Sequence, residues 1–382
     1  MSATPRVLIW VQHLLGIGHL RRAAALARAL AEAGAEVRIA SGGMPVPGLD
    51  TGGARLVQLA AARVADASYR ELLDGNGRPV DEAWRRARRR HLLTLFTGFR
   101  PRAVITETYP FGRGLLREEL EALVDAVAIS EPRPLLCCSL RDIVEPRASA
   151  AKRERMVGRA RGAFDRILVH ADRRVTRLED SLPEAVRLGD RVTYTGYLVS
   201  DPERSEAALD ARAEVLVSAG GGGVGEALLR AALEAARTPA GITWRLLAGP
   251  GIAPPVFDGL RLGAPRGAVV ERNRRDFGAL LASCRVSVSQ AGYNTMVDLL
   301  RARARAVVVP FAAQGEREQG IRARLFAARG LVRVLEAEAL SGSALAAAVE
   351  GAAASARPAA EGVRLDGAQV SARLIVGALE ER

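Results

Sequence analysis

The sequence predicts an α/β protein of two domains, each built on a doubly wound parallel sheet. Short β-branched apolar runs bounded by glycine and polar residues recur along the chain, as buried parallel strands do. Helix-forming stretches separate these runs at βαβ spacing. At 382 residues the chain is too long for one ordinary core, so the alternation is shared between two.

The first strand is Arg6-Val-Leu-Ile-Trp-Val11, and a helix from Arg21 to Ala33 follows it and stops at Gly34. Val37–Ser41 and Arg55–Leu59 read as strands, 81–98 as a helix and Ala103–Glu107 as the next strand. Helix 114–127, strand Leu135–Ser139, helix 148–163, strand Arg166–Val169 and strand Val192–Tyr197 complete the first half. The charged segment after Leu198, with Asp201-Pro202, suits a linker. Strands then recur at 214–218, 243–248, 268–271, 285–289, 306–310 and 331–334, with helices at 226–237, 275–282, 294–303 and 316–329. Ala-rich helices at 337–354 and 366–380 end the chain. The resulting division is a first domain over 1–198, a linker over 199–212, a second domain over 213–364, and a C-terminal helix over 365–382 that packs back on the first. In such sheets ligands bind at the carboxyl ends of the strands.

Composition excludes several classes. No apolar run approaches the ~18 residues of a membrane span. The N-terminus lacks a signal-peptide pattern and three cysteines give no disulfide framework or metal-ligand spacing, which points to a cytoplasmic protein. The net charge of +12 favours anionic partners, yet aromatic residues are only 4% and no basic patch is interleaved with them, which argues against nucleic acid. Lys152 is the only lysine among 55 basic residues, so a single arginine carries little functional information. The run Trp84–Phe96 reads as a solvated outer helix. Its alternative is a peripheral membrane contact through Arg85–Arg90 at the inner face of the membrane.

Four strand-end segments carry chemistry. In Ser289-Gln-Ala-Gly-Tyr-Asn-Thr-Met-Val-Asp298, Gly292 marks the turn, and Asn294, Thr295 and Asp298 share a helical face. Free N–H groups at such a helix start attract phosphate, and the carboxylate suits ribose hydroxyls. Gly220–Gly223 and Gly225 form a glycine-rich βα turn, either a diphosphate cradle or a flexible connection; it is neither a P-loop nor a dinucleotide fingerprint. Gln314-Gly-Glu-Arg-Glu-Gln319 sets Glu316 and Gln319 at another helix start, where an acidic cap explains the pattern equally well. In the first half, Gly16-Ile-Gly-His19 places His19 at a helix N-terminus with Arg22 on the same face, where the helix dipole would favour the neutral imidazole that a general base needs. Of the other histidines, His13 reads as loop, and His91 and His170 as structural. Glu107 and Asp142, each after a strand, could orient His19, bind an acceptor, or merely close a turn.

These residues carry a resemblance. Gly16-Ile-Gly-His19, Gly221-Gly-Gly-Val-Gly225, Ala291-Gly-Tyr-Asn-Thr-Met-Val-Asp298 and Pro310-Phe311 with Glu316-Arg-Glu-Gln319 stand in the order of the motifs of MurG-like glycosyltransferases of the GT-B fold. Thr106-Glu-Thr-Tyr-Pro-Phe-Gly112 and Leu140-Arg-Asp-Ile143 are shared with uncharacterised relatives of that family. The resemblance implies two Rossmann-like domains facing a cleft. It implies inverting, metal-independent hexosyl transfer from a nucleotide diphospho-sugar, UDP favoured, to a hydroxyl on a lipid-linked molecule or a small metabolite, with no cofactor. It makes His19 the base, with Glu107 or Asp142 assisting. The donor would be held by Gly18, Gly221, Gly222, Gly223, Gly225, the backbone at Arg274, Gly292, Asn294, Thr295, Asp298, Glu318 and Gln319. Asp298 stands in place of a glutamate, Gly223 of a serine and Glu318 of a glutamine. Gly18-His-Leu-Arg-Arg22 is also similar to UDP-sugar hydrolases, where the histidine activates water. A non-catalytic nucleotide-sugar-binding protein is the third reading.

Overall fold

The computed structural model describes residues 4–65, 70–144, 149–199, 214–220, 225–237, 242–274, 276–312 and 317–382. Gly221, Gly222, Gly223, the segment 313–316 and most of the expected linker lie outside these residues. The chain divides into one unit of Met1–Ser200 with Arg364–Arg382 and a second of Asp201–Val363.

The first unit runs β1 (Arg6–Val11), α1 (Gly18–Glu32), β2 (Glu36–Ser41), β3 (Arg55–Gln58), β4 (Ala62–Val64), β5 (Leu72–Asp74), α2 (Glu82–Phe99), β6 (Ala103–Glu107), α3 (Arg117–Ala128), β7 (Leu135–Arg141), α4 (Ala150–Ala163), β8 (Arg166–His170) and β9 (Val192–Tyr194). Its main sheet has the order β3-β2-β1-β6-β7-β8-β9, and every pairing in it is parallel. Such a sheet, reversing direction of growth at β1 and β6, is doubly wound, and its carboxyl ends at those strands are where a ligand is expected. The antiparallel β4–β5 pair was not foreseen, because three-residue strands are too short to show a period.

The second unit runs β10 (Glu214–Ser218), α5 (Glu226–Ala235), β11 (Thr243–Ala248), α6 (Pro254–Leu262), β12 (Ala268–Arg272), α7 (Phe277–Ser283), β13 (Val286–Ser289), α8 (Tyr293–Ala302), β14 (Ala306–Val308), α9 (Glu318–Ala327), β15 (Arg333–Val334) and α10 (Gly342–Ala353). The sheet order is β12-β11-β10-β13-β14-β15, again parallel throughout. Helix α6 escaped the sequence reading because it opens on Pro254-Pro255, which reads as a breaker but is well suited to a first helical turn. The expected helix over 337–354 divides into a 3-10 turn and α10, which Ser341 caps by accepting from the Ala344 N–H at 3.2 Å.

The last helix, α11 (Gly367–Glu380), belongs to the first unit and packs on α1. Its Ala368, Ala372, Ile375 and Leu379 join Leu20, Ala23, Leu26, Ala27 and Leu30 of α1 in one buried cluster with β1, β2 and β6. That second partner explains why α1 is alanine-rich and apolar on most sides, since it is covered by sheet on one face and helix on another. Helix α2 is not wholly a solvated outer helix. Arg88, Leu92, Phe96 and Phe99 form a buried stripe, while His91, expected to be structural, is exposed. Among the described residues no helix is long and apolar enough to cross a membrane.

Candidate active site

In the first unit β1 and β6 are neighbours, so the helix start after β1 meets the last residue of β6. There His19 Nδ1 lies 2.7 Å from Glu107 Oε2. Arg22, one turn along α1, donates from Nη2 to Glu107 Oε1 at 2.7 Å, and the same nitrogen is 2.8 Å from His19 Nδ1. Arg113 Nη2 stands 3.6 Å from Glu107 Oε2. The His19 side chain is 17% exposed and that of Glu107 1%. Burial pushes the imidazole down to about 3, Arg113 and Arg22 push it the same way, and Glu107 opposes them. Burial is thus the largest of these causes holding His19 neutral. Burial alone would raise the Glu107 carboxyl, but the His19 N–H and the guanidinium groups of Arg22 and Arg113 hold it well below the usual carboxylate range. Nδ1 thus faces both the Glu107 carboxylate, which can only accept, and the Arg22 guanidinium, which can only donate. A neutral imidazole that gives its Nδ1 proton to Glu107 leaves the Nε2 lone pair as a base.

The loop after β6 completes the arrangement. Thr108 Oγ1 donates to Glu107 Oε2 at 2.6 Å, from a backbone at φ 72 that a β-branched residue rarely adopts. Such a conformation costs about 1–3 kcal/mol and persists only where its surroundings impose it. Beneath lies a buried polar network. Arg88 Nε and Trp10 Nε1 donate to the two oxygens of Glu119, at 2.6 and 2.7 Å. Arg88 also binds Gln12 Oε1 at 2.7 Å and the carbonyls of Gly42 and Ala60 at 3.0 and 2.7 Å. The ends of β1 and β2 are thereby tied to α2 and α3. None of Arg22, Arg88, Thr108 or Arg113 was singled out from sequence as a working part of the site, except Arg22 as a neighbour of His19. The arginine-rich composition concealed the arginines, and Thr108 stood out only as part of the Thr106–Gly112 motif.

Asp142 is completely buried, and its Oδ1 accepts from the Ile143 N–H at 2.9 Å. His170 is buried between the hydroxyls of Ser139 and Thr195, at 2.8 and 2.9 Å, a structural histidine in the same polar layer. His13 lies in the loop after β1 and is 5% exposed. Gly18 is the first residue of α1.

In the second unit α8 starts at Gly292 with no side-chain cap. Asn294, Thr295 and Asp298 are half-buried, while Tyr293, Met296, Val297, Leu299 and Leu300 are buried, so the three polar residues share the outer face. Ser289 Oγ and Asn294 Oδ1 are buried without a hydrogen-bond partner. Orphan polar atoms of this kind are rare in native proteins and call for an explanation such as a ligand. A Cβ on Gly292 would meet nothing nearer than Thr295 Oγ1 at 3.9 Å, so packing within the chain does not require glycine there. Gly225 is different, since a Cβ would fall 2.2 Å from that of Ala219 and close packing alone demands the glycine.

Helix α9 grips the approach to α8. Gln319 Oε1 accepts from the N–H groups of Ala291 and Phe311, at 3.0 and 3.1 Å. Arg322 donates to the Ala291 carbonyl at 2.9 Å and to Glu318 at 2.6 Å. The resemblance assigns Gln319 and Glu318 to the donor. Here the amide oxygen of Gln319 braces two strand-end loops, and the Glu318 carboxylate is neutralised by a fully buried arginine, leaving the Gln319 amide N–H groups as donors. Arg274 holds Asp276 through two hydrogen bonds, at 2.8 and 2.6 Å, and Glu271 at 3.1 Å, so its side chain is committed to the turn. Among the described residues no group of three His, Cys, Asp or Glu side chains could hold a metal ion.

Residues 274–364 match the glycosyltransferase family 28 C-terminal domain. No curated protein matches the chain in sequence. Solved structures match along its full length. CalG4, the calicheamicin glycosyltransferase, is 16% identical with a TM-score of 0.65, covering 99% of this chain and 97% of its own. The fold is GT-B. MurG of Acinetobacter baumannii shares it at 13% identity and a TM-score of 0.60, covering 98% of this chain and 100% of its own. So does the glycosyltransferase VinC in complex with DTDP, at 16% identity and a TM-score of 0.61, covering 99% of this chain and 100% of its own. At these identities the likeness establishes the fold of this GT-B chain, while its chemistry has to come from its own residues. The family 28 match spans α8 and α9, and therefore Asn294, Thr295, Asp298, Glu318 and Gln319.

Proposed function

We propose that the protein transfers a hexosyl group from a nucleotide diphospho-sugar to an acceptor hydroxyl. The observation that carries the reading is the 2.7 Å contact between His19 Nδ1 and Glu107 Oε2, which makes Nε2 a base and stabilises the imidazolium that forms when it takes a proton. The hydroxyl thus activated attacks the anomeric carbon, the bond to the diphosphate breaks, and single displacement inverts the centre. Gly292, the uncapped start of α8 and the orphan Asn294 Oδ1 support a nucleotide site in the second unit. Asp298 takes the ribose hydroxyls, and backbone N–H groups stabilise the departing diphosphate without a metal. Thr295, Gly18, the Arg274 backbone and Gly221, Gly222, Gly223 and Gly225 complete the donor set. The VinC complex contains a thymidine diphosphate, so thymidine joins uridine as a candidate base. The acceptor is a small metabolite or a lipid-linked molecule, and the second case would bring peripheral contact with a membrane.

The test is incubation with UDP- and TDP-sugars, with and without a panel of hydroxyl acceptors, following nucleoside diphosphate release. Release accelerated by an acceptor, and unaffected by EDTA, is expected. Rapid release of free sugar without acceptor would instead favour the hydrolase, in which His19 activates water. Nucleotide binding with no turnover under any condition would leave a binding protein.

A further inference from the structure

We propose that Thr108 is a positioning residue which, through Glu107, holds His19 in the tautomer and orientation that expose Nε2. The inference rests on reading His19 as the general base.

Thr108 follows β6 at φ 72. Of the residues that could occupy such a backbone, a β-branched one fits worst and glycine best. The surrounding turn imposes the conformation. The Thr108 N–H donates to the Ser139 carbonyl at 2.8 Å, and the Phe111 N–H donates to the Thr108 carbonyl at 2.8 Å. Thr106 Oγ1 donates to the Tyr109 carbonyl, also at 2.8 Å. Gly112 makes room, because a Cβ there would lie 2.7 Å from Thr108 Cγ2.

What this backbone achieves is placement of one hydroxyl. Oγ1 donates to Glu107 Oε2 at 2.6 Å and lies 3.5 Å from His19 Nδ1. Since its proton is given to Oε2, the hydroxyl offers Nδ1 none. Nδ1 meets that same carboxylate oxygen at 2.7 Å and the Arg22 Nη2 donor at 2.8 Å. With Arg22 also donating to Glu107 Oε1, the Nδ1 proton is assigned to the contact with Oε2. Arg22 secures the other oxygen, Oε1, and Arg113 stands beside Oε2. Without the hydroxyl, Oε2 loses its closest donor, and the carboxylate is free to turn toward Arg113 and away from His19. Serine would supply the hydroxyl, valine the same shape without it, and glycine an unstrained backbone without it.

These three substitutions separate positioning from mere folding. The tautomer of His19 is read from its 15N ring shifts, assigned among four histidines by their loss in His19→Ala. Turnover and donor KM are read in parallel. Wild type and Thr108→Ser should show proton on Nδ1 and comparable kcat. Thr108→Val and Thr108→Gly should show mixed tautomers, kcat lowered about tenfold to a hundredfold, and donor KM unchanged. Thr108→Gly relieves the backbone and Thr108→Val does not, so a structural role would make kcat follow Tm instead of the hydroxyl, and that result would overturn the proposal. Unchanged 15N shifts in Thr108→Val would overturn it as well. If wild type shows no turnover, yet carries its proton on Nδ1 and loses that state in Thr108→Val, the transferase reading falls and the role of Thr108 stands.

Discussion

In the proposed reaction His19 and Glu107 divide the work of one proton transfer, and their surroundings set the terms. Glu107→Gln keeps the size of the side chain but presents an amide that can donate to Nδ1 and so favours the wrong tautomer. Initial rates should fall by about two to four orders of magnitude with nucleotide affinity unchanged; a loss below tenfold would mean that Glu107 does not orient the base. The same burial makes the fold acid-sensitive. His19 and His170 are each pushed down to about 3 and His13 is lowered too, whereas the unfolded chain binds these protons near the ordinary value of 6.5. The unfolded state therefore takes up protons first, so stability is full above about pH 6.5 and declines as pH falls toward 3. Glu107, held below its ordinary 4.5, adds a further loss below that value. The urea midpoint should be lower at pH 5 than at pH 7, and an equal or higher midpoint at pH 5 would contradict this burial. His19, Glu107 and Asp142 could be named from the sequence because each follows a strand. Their roles could not, since a carboxylate after a strand looks the same whether or not it faces a histidine, as Glu107 does.

Helix α9 shows how an element can brace the backbone beside a helix start. Gln319 and Arg322 hold both the N–H and the carbonyl of Ala291, one residue before the cap of α8. Gln319→Leu leaves the N–H groups of Ala291 and Phe311 without their acceptor, at about 1–3 kcal/mol for each group that water cannot reach. Chemical denaturation should register that loss, and calorimetry a nucleotide Kd raised about tenfold as the loop relaxes. Wild-type affinity in this variant would show that the start of α8 holds itself. The strand–helix alternation that builds these elements was legible because apolar runs and glycine stops are local signals. A brace such as Gln319 is not local, since its partners lie 28 and 8 residues away. Position in a motif suggests a contact with sugar, and the structure adds a backbone contact through the amide oxygen that the motif does not reveal.

Two parallel sheets of the same strand-order pattern, one of seven strands in the first unit and one of six in the second, account for the length of the chain. The excursion of α11 into the first unit makes its fold depend on the last residues of the sequence. Ile375 is wholly buried in that contact, so Ile375→Ala should cost about 2–5 kcal/mol in the first unit, measured as a lowered denaturation midpoint. An unchanged midpoint would mean that α11 is dispensable. Composition hid part of this organisation too. With 55 basic residues the arginines looked interchangeable, although Arg88 and Arg322 are almost wholly buried in ion pairs with Glu119 and Glu318. The whole account stands on the base belonging to the first unit and the nucleotide site to the second. His19→Ala and Asp298→Ala should divide accordingly, with nucleoside diphosphate binding by calorimetry and acceptor-dependent release measured on both. His19→Ala is predicted to bind as wild type does and release nothing above background, while Asp298→Ala binds far more weakly; full turnover in His19→Ala would contradict the account.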